Sequence, residues 1–341
     1  MAITLKEINS SSEWEGFISQ NNYPTSFFQS WLWGNFEQEI GKKVFRLGIF
    51  HDEVLFGVGL ATLVVARRGK FLHFRNGPVM SWQDEDLVKE IFLRIKDFAD
   101  DLHLDFVRIS PLVPSSGQEE KLLKKLHFVN CQMHDVDAEV TWVLDLDQSA
   151  EQILAGMRKH TRYSIHKAEK DGIKVIKTQD PKAIDEFWRI FKETIERQKW
   201  HAYTREYLAK EFAIFASHNS ANLFLAQYQG KNIAGSIFIY YNGVVYYHHS
   251  GSLTEYRNIP GAYLIQWESI KEAKRMGMKK YNFFGIARTD DPKHPWHGLS
   301  FFKKGFGGRE ERFMHAKDLP LKNRYWLTYF FEKLERKRRG Y

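Results

Sequence analysis

The chain has 341 residues, with 50 Lys and Arg against 42 Asp and Glu and a net charge of +8. Its hydrophobic fraction is 43%, with 27 Phe, 15 Tyr and 10 Trp, which excludes the disordered class and supplies two buried cores. The single cysteine, Cys131, excludes an internal disulfide, and the longest apolar run, Val54 to Ala66, is too short for a helical span of about 20 residues. The N-terminal residues lack the cationic start and apolar stretch of a signal peptide, so a soluble, cytoplasmic protein is expected. The basic surplus suits RNA, a phosphorylated substrate or an acidic membrane face.

Taken in chain order, the predicted elements form a series that occurs twice. Val44–Leu60 reads as strand, polar turn (His51-Asp52-Glu53) and strand. A strand at Phe71–Phe74, a turn at Asn76-Gly77-Pro78, a helix over Asp86–Leu102 and a strand at Phe106–Ile109 follow. Ile91, Phe92, Ile95 and Phe98 form the apolar face of that helix. Next come a strand within Val136–Asp147, with alternation at Val140, Trp142 and Leu144, and one basic helix from Ser149 to about Lys170. The second series runs through a hairpin at Asn222–Phe238, a strand at Val244–His248, a turn at Ile259-Pro260-Gly261, a helix over Ala262–Met276 and a strand at Tyr281–Phe284. Overlaying the hairpins sets Leu47 on Leu225, Leu55 on Ile233 and Gly57 on Gly235, an offset of 178 (225 − 47). A last helix is predicted from Leu319 to about Arg338, with Arg336-Lys-Arg-Arg339 at its end.

Hairpin, strand, helix and strand is the order of the acetyltransferase (GNAT) fold. The expected architecture is α/β with mixed sheets: one GNAT-like domain over residues 1–145, a second over 146–317, and a basic aromatic helix, 318–341, packing back on the body.

Several segments resemble the Fem family of peptidoglycan bridge-forming aminoacyltransferases (FemA, FemB and FemX). They are Phe27-Phe-Gln-Ser30 with Trp33-Gly34, Arg75-Asn-Gly-Pro-Val79, Met157 to Gly172, Gly251-Ser252, Gly261-Ala-Tyr-Leu264, Tyr281-Asn-Phe-Phe-Gly285 and Gly298 to Gly307. The absence of a long charged helical hairpin in the second domain makes the chain more similar to FemX than to FemA. The resemblance implies two GNAT-like domains and transfer of an amino acid from aminoacyl-tRNA, as co-substrate, to the stem-peptide amine of a UDP-linked or lipid-linked peptidoglycan precursor. No further cofactor is implied.

Read alone, Lys303 is a solvated lysine beside Phe302; the resemblance sets it on the family lysine that stabilises transition-state charge, with Lys304 as its neighbour. The family's arginine and tyrosine for the precursor fall near Arg205, Tyr203 and Tyr207, with Tyr203 at the arginine position. Asn35 stands where FemX-like members carry a phosphate-binding lysine, and Ser110 where an acid occurs, which leaves no evident general base. Tyr247 and His249, at a strand end beside Gly251, are assigned to the substrate pocket. Arg158, Lys159, Arg162 and Lys167 offer a ridge for the tRNA acceptor arm, or else a solvated helix face. The tail Arg336–Arg339 offers charge to tRNA or to the anionic inner leaflet. No His, Cys and Asp spacing fits zinc, so no metal is expected.

An acyl-CoA N-acyltransferase is the competing reading. Arg257-Asn-Ile-Pro-Gly-Ala262 has one residue too many for a pyrophosphate loop, and its proline removes an amide donor.

Overall fold

The computed structural model describes all residues except 1–2, 68, 115–116, 134–136, 199–202 and 339–341. β1 (Ile3–Glu7), α1 (Ser11–Gln20) and α2 (Trp31–Glu39) lead into β2 (Val44–His51), β3 (Val54–Ala66) and β4 (Gly69–Phe74). β5 (Val79–Met80), α3 (Glu85–Asp101), β6 (Phe106–Ile109), α4 (Gln118–Lys125) and β7 (Val129–Asn130) follow. The Asp84 side chain caps α3 by accepting from the amides of Asp86 and Leu87, and two acids in the first turn favour the helix dipole. Val88, Ile91, Phe92, Ile95 and Ala99 then form its buried stripe, while Phe98 is half-buried against Phe45.

The chain continues through β8 (Val140–Asp145), α5 (Ala150–Gly156), α6 (Lys159–Lys170), β9 (Lys174–Thr178), α7 (Ile184–Gln198) and α8 (Arg205–Ser217). It then forms β10 (Ala221–Tyr228), β11 (Lys231–Tyr241), β12 (Val244–Ser252), α9 (Gly261–Arg275), β13 (Lys280–Gly285), α10 (His297–Lys304) and β14 (Arg309–Arg312). β15 (Lys317–Pro320) and α11 (Tyr325–Arg338) close the described chain.

Two compact units result: Met1–Glu139 with Arg312–Tyr341, and Val140–Glu311. The first unit's sheet runs β1-β2-β3-β4-β6-β15-β7, with β5 on β3; the second unit's runs β9-β10-β11-β12-β13-β8-β14. Each contains an antiparallel hairpin, a further antiparallel strand and then a parallel neighbour, β4 with β6 and β12 with β13. In each, the strand beyond the parallel pair is antiparallel: β15 beside β6, and β8 beside β13.

These pairings correct three sequence expectations. The first domain is discontinuous, because β15 and α11 complete it after the second unit, whereas β8 belongs to the second unit's sheet. The boundary therefore lies at 139/140 rather than 145/146. Residues 317–320 form a strand, so the last helix begins at Tyr325 rather than Leu319. The basic helix is two helices: Met157 and Arg158 are extended, with ψ of 154° and 142°, between α5 and α6.

The hairpin offset is also corrected. β2 pairs with β3 from Val44↔Thr62 to His51↔Val54, and β10 with β11 from Ala221↔Ile239 to Tyr228↔Lys231. Every pair matches at 177 (221 − 44), including the register shift after Ile49 and after Ala226. Leu47 therefore answers to Phe224, not Leu225. The one-residue difference matters because a slip of one carries every side chain to the opposite face.

Candidate active site

In the second unit the parallel strands part early. β12 and β13 pair from Val244↔Lys280 to Tyr246↔Asn282, after which β12 continues along β11 to Ser252. Lys303, near the end of α10, is 5% exposed and donates from Nζ to the Gly285 carbonyl at 2.6 Å. Its Nζ lies 5.8 Å from the centre of the buried Tyr247 ring. Desolvation lowers the Lys303 pKa to about 7, so ammonium and amine are both populated at neutral pH. A buried lysine with this poise is suited to charge stabilisation or proton transfer. The reading of Lys303 as a solvated lysine is overturned: Lys303 is buried, and Phe302 beside it is half-buried against the core.

A register shift between Ile237 and Phe238 on β11 leaves His248 as the extra residue of β12. Neighbouring residues on a strand normally face opposite sides. With this bulge, both imidazoles reach one carboxylate: His248 Nε2 and His249 Nε2 lie 2.9 and 3.3 Å from Glu211 Oε1. Burial raises the Glu211 pKa, but the two histidines outweigh it and hold the carboxyl well below its ordinary range. Glu211 and Tyr207 are four residues apart on α8 and share a face. Tyr207 stacks on Tyr203 at 4.2 Å and 12°, and Tyr203 meets the His249 ring edge-on at 5.6 Å. Tyr203, Tyr207, His249, Glu211 and His248 thus form one cluster, and Tyr203 exposes 41% of its surface. The His248 ring lies 5.6 Å from that of Phe284, whose φ of +66° is strained for a bulky residue.

The cations assigned to ligands have protein partners. Arg205 pairs with Asp185, with Nε donating at 2.6 Å, and Lys304 pairs with Asp290 at 2.7 Å. Arg158 covers the Phe301 ring at 3.9 Å, and its backbone amide donates to Gly305 O. Arg162 donates to the carbonyls of Ala155 and Met157, closing the break between α5 and α6. Lys167 pairs with Asp171 one turn on, and Lys159 is exposed at the start of α6.

The first unit contains a separate polar network. Arg75 stacks on Phe28 at 3.5 Å and donates from Nε to Asp137 at 2.5 Å, while His73 Nε2 lies 3.1 Å from the same carboxylate. Ser110 Oγ also donates to Asp137. Burial raises the Asp137 pKa, but His73 and Arg75 together hold it well below the ordinary carboxylate range. An acid therefore does reach Ser110, from a residue 27 positions on. Similarly, Asn35 Oδ1 accepts from Arg46 Nη2 at 2.7 Å, so β2 delivers a guanidinium to the position that lacks the lysine. Gln29 joins the two motifs of this unit by donating to the carbonyls of Leu60 and Arg75.

Sequence reasoning missed Glu211, His248, Asp137 and Arg46 as members of these clusters. The spacing of Tyr207 and Glu211 is a legible signal on a helix, whereas the bulge and the long-range contacts of Asp137 leave none. Cys131 is buried, chiefly desolvation pushes its thiol far up, and it has no sign of nucleophilic activation.

The FemAB family model matches residues 9–232 and 219–333. The aminoacyltransferase FemA of Staphylococcus epidermidis is 34% identical over 74 residues, 22% of this chain. The chain spans 18% of the length of that curated relative. A crystal structure of FemX superposes with a TM-score of 0.83, covering 96% of this chain and 100% of that chain at 16% identity. A tandem GNAT protein from the clavulanic acid biosynthesis pathway superposes with a TM-score of 0.56, covering 93% and 98% at 9% identity. The two GNAT-like units read from the repeat are thus the fold of solved relatives, and the chain belongs to the FemAB family.

Proposed function

We propose that this chain transfers an aminoacyl group from aminoacyl-tRNA to the stem-peptide amine of a peptidoglycan precursor, lipid-linked or UDP-linked, on the cytoplasmic side of the membrane. The carrying observation is Lys303, a desolvated lysine poised near neutrality where β12 and β13 part. Family membership supports the reaction class. The ester is already activated, so direct aminolysis needs positioning and charge stabilisation rather than a cofactor. The amine nitrogen forms a bond to the ester carbonyl carbon, and the carbonyl oxygen takes the negative charge. Collapse breaks the bond to the ribose oxygen, which gains the proton that the amine loses. In its ammonium form, Lys303 stabilises the oxyanion. The exposed Tyr203 and its partner Tyr207 offer a stacking wall for the acceptor. For tRNA, Lys159 and the outer face of α6 remain the candidate contacts, with Arg158, Arg162 and Lys167 also engaged within the protein.

The geometry supports acyl-CoA use less well. Pro260 has no amide, and the Gly261 amide donates to Ile259 O at 2.8 Å, so the start of α9 lacks the row of free amides a pyrophosphate requires. The test is transfer of radiolabel from a pool of aminoacyl-tRNAs to lysine- or diaminopimelate-bearing precursors, UDP-linked and lipid-linked in parallel. Label on a precursor names donor and acceptor together. Folded protein that labels none of them, but whose Tm rises with acetyl-CoA, sinks the proposal in favour of the CoA reading.

A further inference from the structure

We infer that the outer face of α11 is a docking surface for an anionic lipid bilayer. The inner face of this helix is fully accounted for. Tyr325 is buried edge-on to Phe106 at 5.1 Å and donates to Asp318 at 3.1 Å, and Glu332 accepts from Arg108 at 2.9 Å. The outer face carries Trp326, Leu327, Phe330 and Leu334, exposed by 41, 65, 58 and 67%. At 100° per residue these four side chains fall within one sector of about 100°. Four large apolar groups on one face form a patch of the kind that marks an interaction site.

Charge identifies the occupant. The acids of α11, Glu332 and Glu335, lie toward the body, with Glu332 on Arg108 and Glu335 less exposed than its Arg338 partner. Lys333 borders the apolar sector on one side and Arg338 the other, Lys337 falls within it in the last turn, and all three are exposed. A groove of about 600 Å3, lined by Gln132, Phe330, Lys333, Leu334, Arg336 and Lys337, runs beside them. An apolar stripe flanked by cations is the pattern of a helix lying in a bilayer interface, with the stripe among acyl chains and the charges at headgroup phosphates. A second copy would bring the same cations against one another. A nucleic acid would satisfy the cations but leave Leu327, Phe330 and Leu334 in water. No helix among the described residues is long and apolar enough to cross a membrane, so the contact is peripheral. The inference is independent of the transfer reaction.

The experiment is flotation of the full chain with vesicles of equal parts phosphatidylglycerol and phosphatidylcholine, and with phosphatidylcholine alone. Binding is expected with the anionic vesicles and at least tenfold weaker with the neutral ones. Leu327→Glu/Phe330→Glu should abolish binding while leaving the Tm unchanged, since both side chains are exposed. Lys333→Ala and Lys337→Ala should each weaken binding roughly fivefold. Trp326→Phe should bind normally but lose part of the fluorescence blue shift. Equal binding to both vesicles, full binding by the double glutamate variant, or a solution dimer or RNA complex that this variant disrupts in place of vesicle binding would overturn the inference.

Discussion

The two units share one hairpin register and both interrupt the strand that leaves the parallel pair, but they place different groups at the interruption. In the first unit, β4 and β6 stay paired through Phe74↔Ile109, and the polar groups beyond are tied to one another through Asp137. In the second, β12 and β13 part after Tyr246↔Asn282, β12 is bulged at His248, and a desolvated Lys303 occupies the opening. The first unit is interrupted at the matching place by two residues rather than one: β3 pairs Thr62 with His73 but Val58 with Val79, which separates β4 from β5. The comparison teaches that duplicating a scaffold duplicates the hydrogen-bonding frame. The reactive group depends on a few residues that interrupt the frame.

Variants can break or sharpen this contrast. The largest effect is expected from Glu211→Ala, which leaves the His248 and His249 rings facing a buried gap; a loss of about 3–5 kcal/mol in urea unfolding is expected. The carboxyl is held below its ordinary value of 4.5, so the stability it adds is present above that pH and is lost as pH falls through the folded value. Asp137→Ala should cost a similar amount by removing the carboxylate that ties His73, Arg75 and Ser110 together. An unchanged denaturant midpoint in either variant would show that its cluster contributes no stability.

Lys303→Ala is expected to reduce kcat by about 100- to 1000-fold with a smaller change in KM. The wild-type pH profile provides a second readout. If the ammonium acts, kcat falls as pH rises through about 7; a rise over that interval would assign Lys303 the role of a base instead. Lys303→Met should unfold at higher denaturant at neutral pH, by up to a few kcal/mol, because a charged lysine is costly there. The sign follows from linkage: the folded pKa of about 7 is below the unfolded 10.5, so the unfolded state binds more protons between them. Wild-type stability should therefore gain from this group as pH rises from 7 to 10.5, and the methionine variant should lose that gain.

The smallest effect is expected from Tyr203→Ala. Its ring is exposed, so stability should move by less than about 1 kcal/mol. The KM for the acceptor should rise several-fold if the tyrosine pair forms a stacking wall. An unchanged KM would remove Tyr203 from the substrate surface.

Much of the frame is legible in the sequence because it rests on short-range patterns. Alternation in the hairpins, the stripe through Ile91, Phe92 and Ile95, and the matching stripe through Leu264, Ile265 and Ile270 all reflect one face meeting a core. The hairpin offset was misread by one because Gly57 and Gly235 look equivalent, although Gly57 pairs with Ile49 and Gly235 with Leu225. The break between α5 and α6 escaped because Gly156, Met157 and Arg158 do not forbid a helix; what ends it is the approach of Gly305, whose carbonyl takes the Arg158 amide. The site was legible only in part. Lys303 and Tyr207 stand out by resemblance and His249 by its place at a strand end, whereas Glu211 reaches the two histidines through contacts across 37 and 38 residues.

The sequence by itself determined that two similar α/β units exist and where their hairpins and central helices lie, and by resemblance it pointed to Lys303. Periodicity and motif spacing are local, and those features are local too. Tertiary structure decided that β15 returns to complete the first sheet, that a bulge turns two adjacent histidines onto one glutamate, and that Lys303 is desolvated. Each of these depends on groups brought together from distant parts of the chain. The free energy of a buried charge or an open strand edge is set by those neighbours in space, not by the residues beside it in sequence.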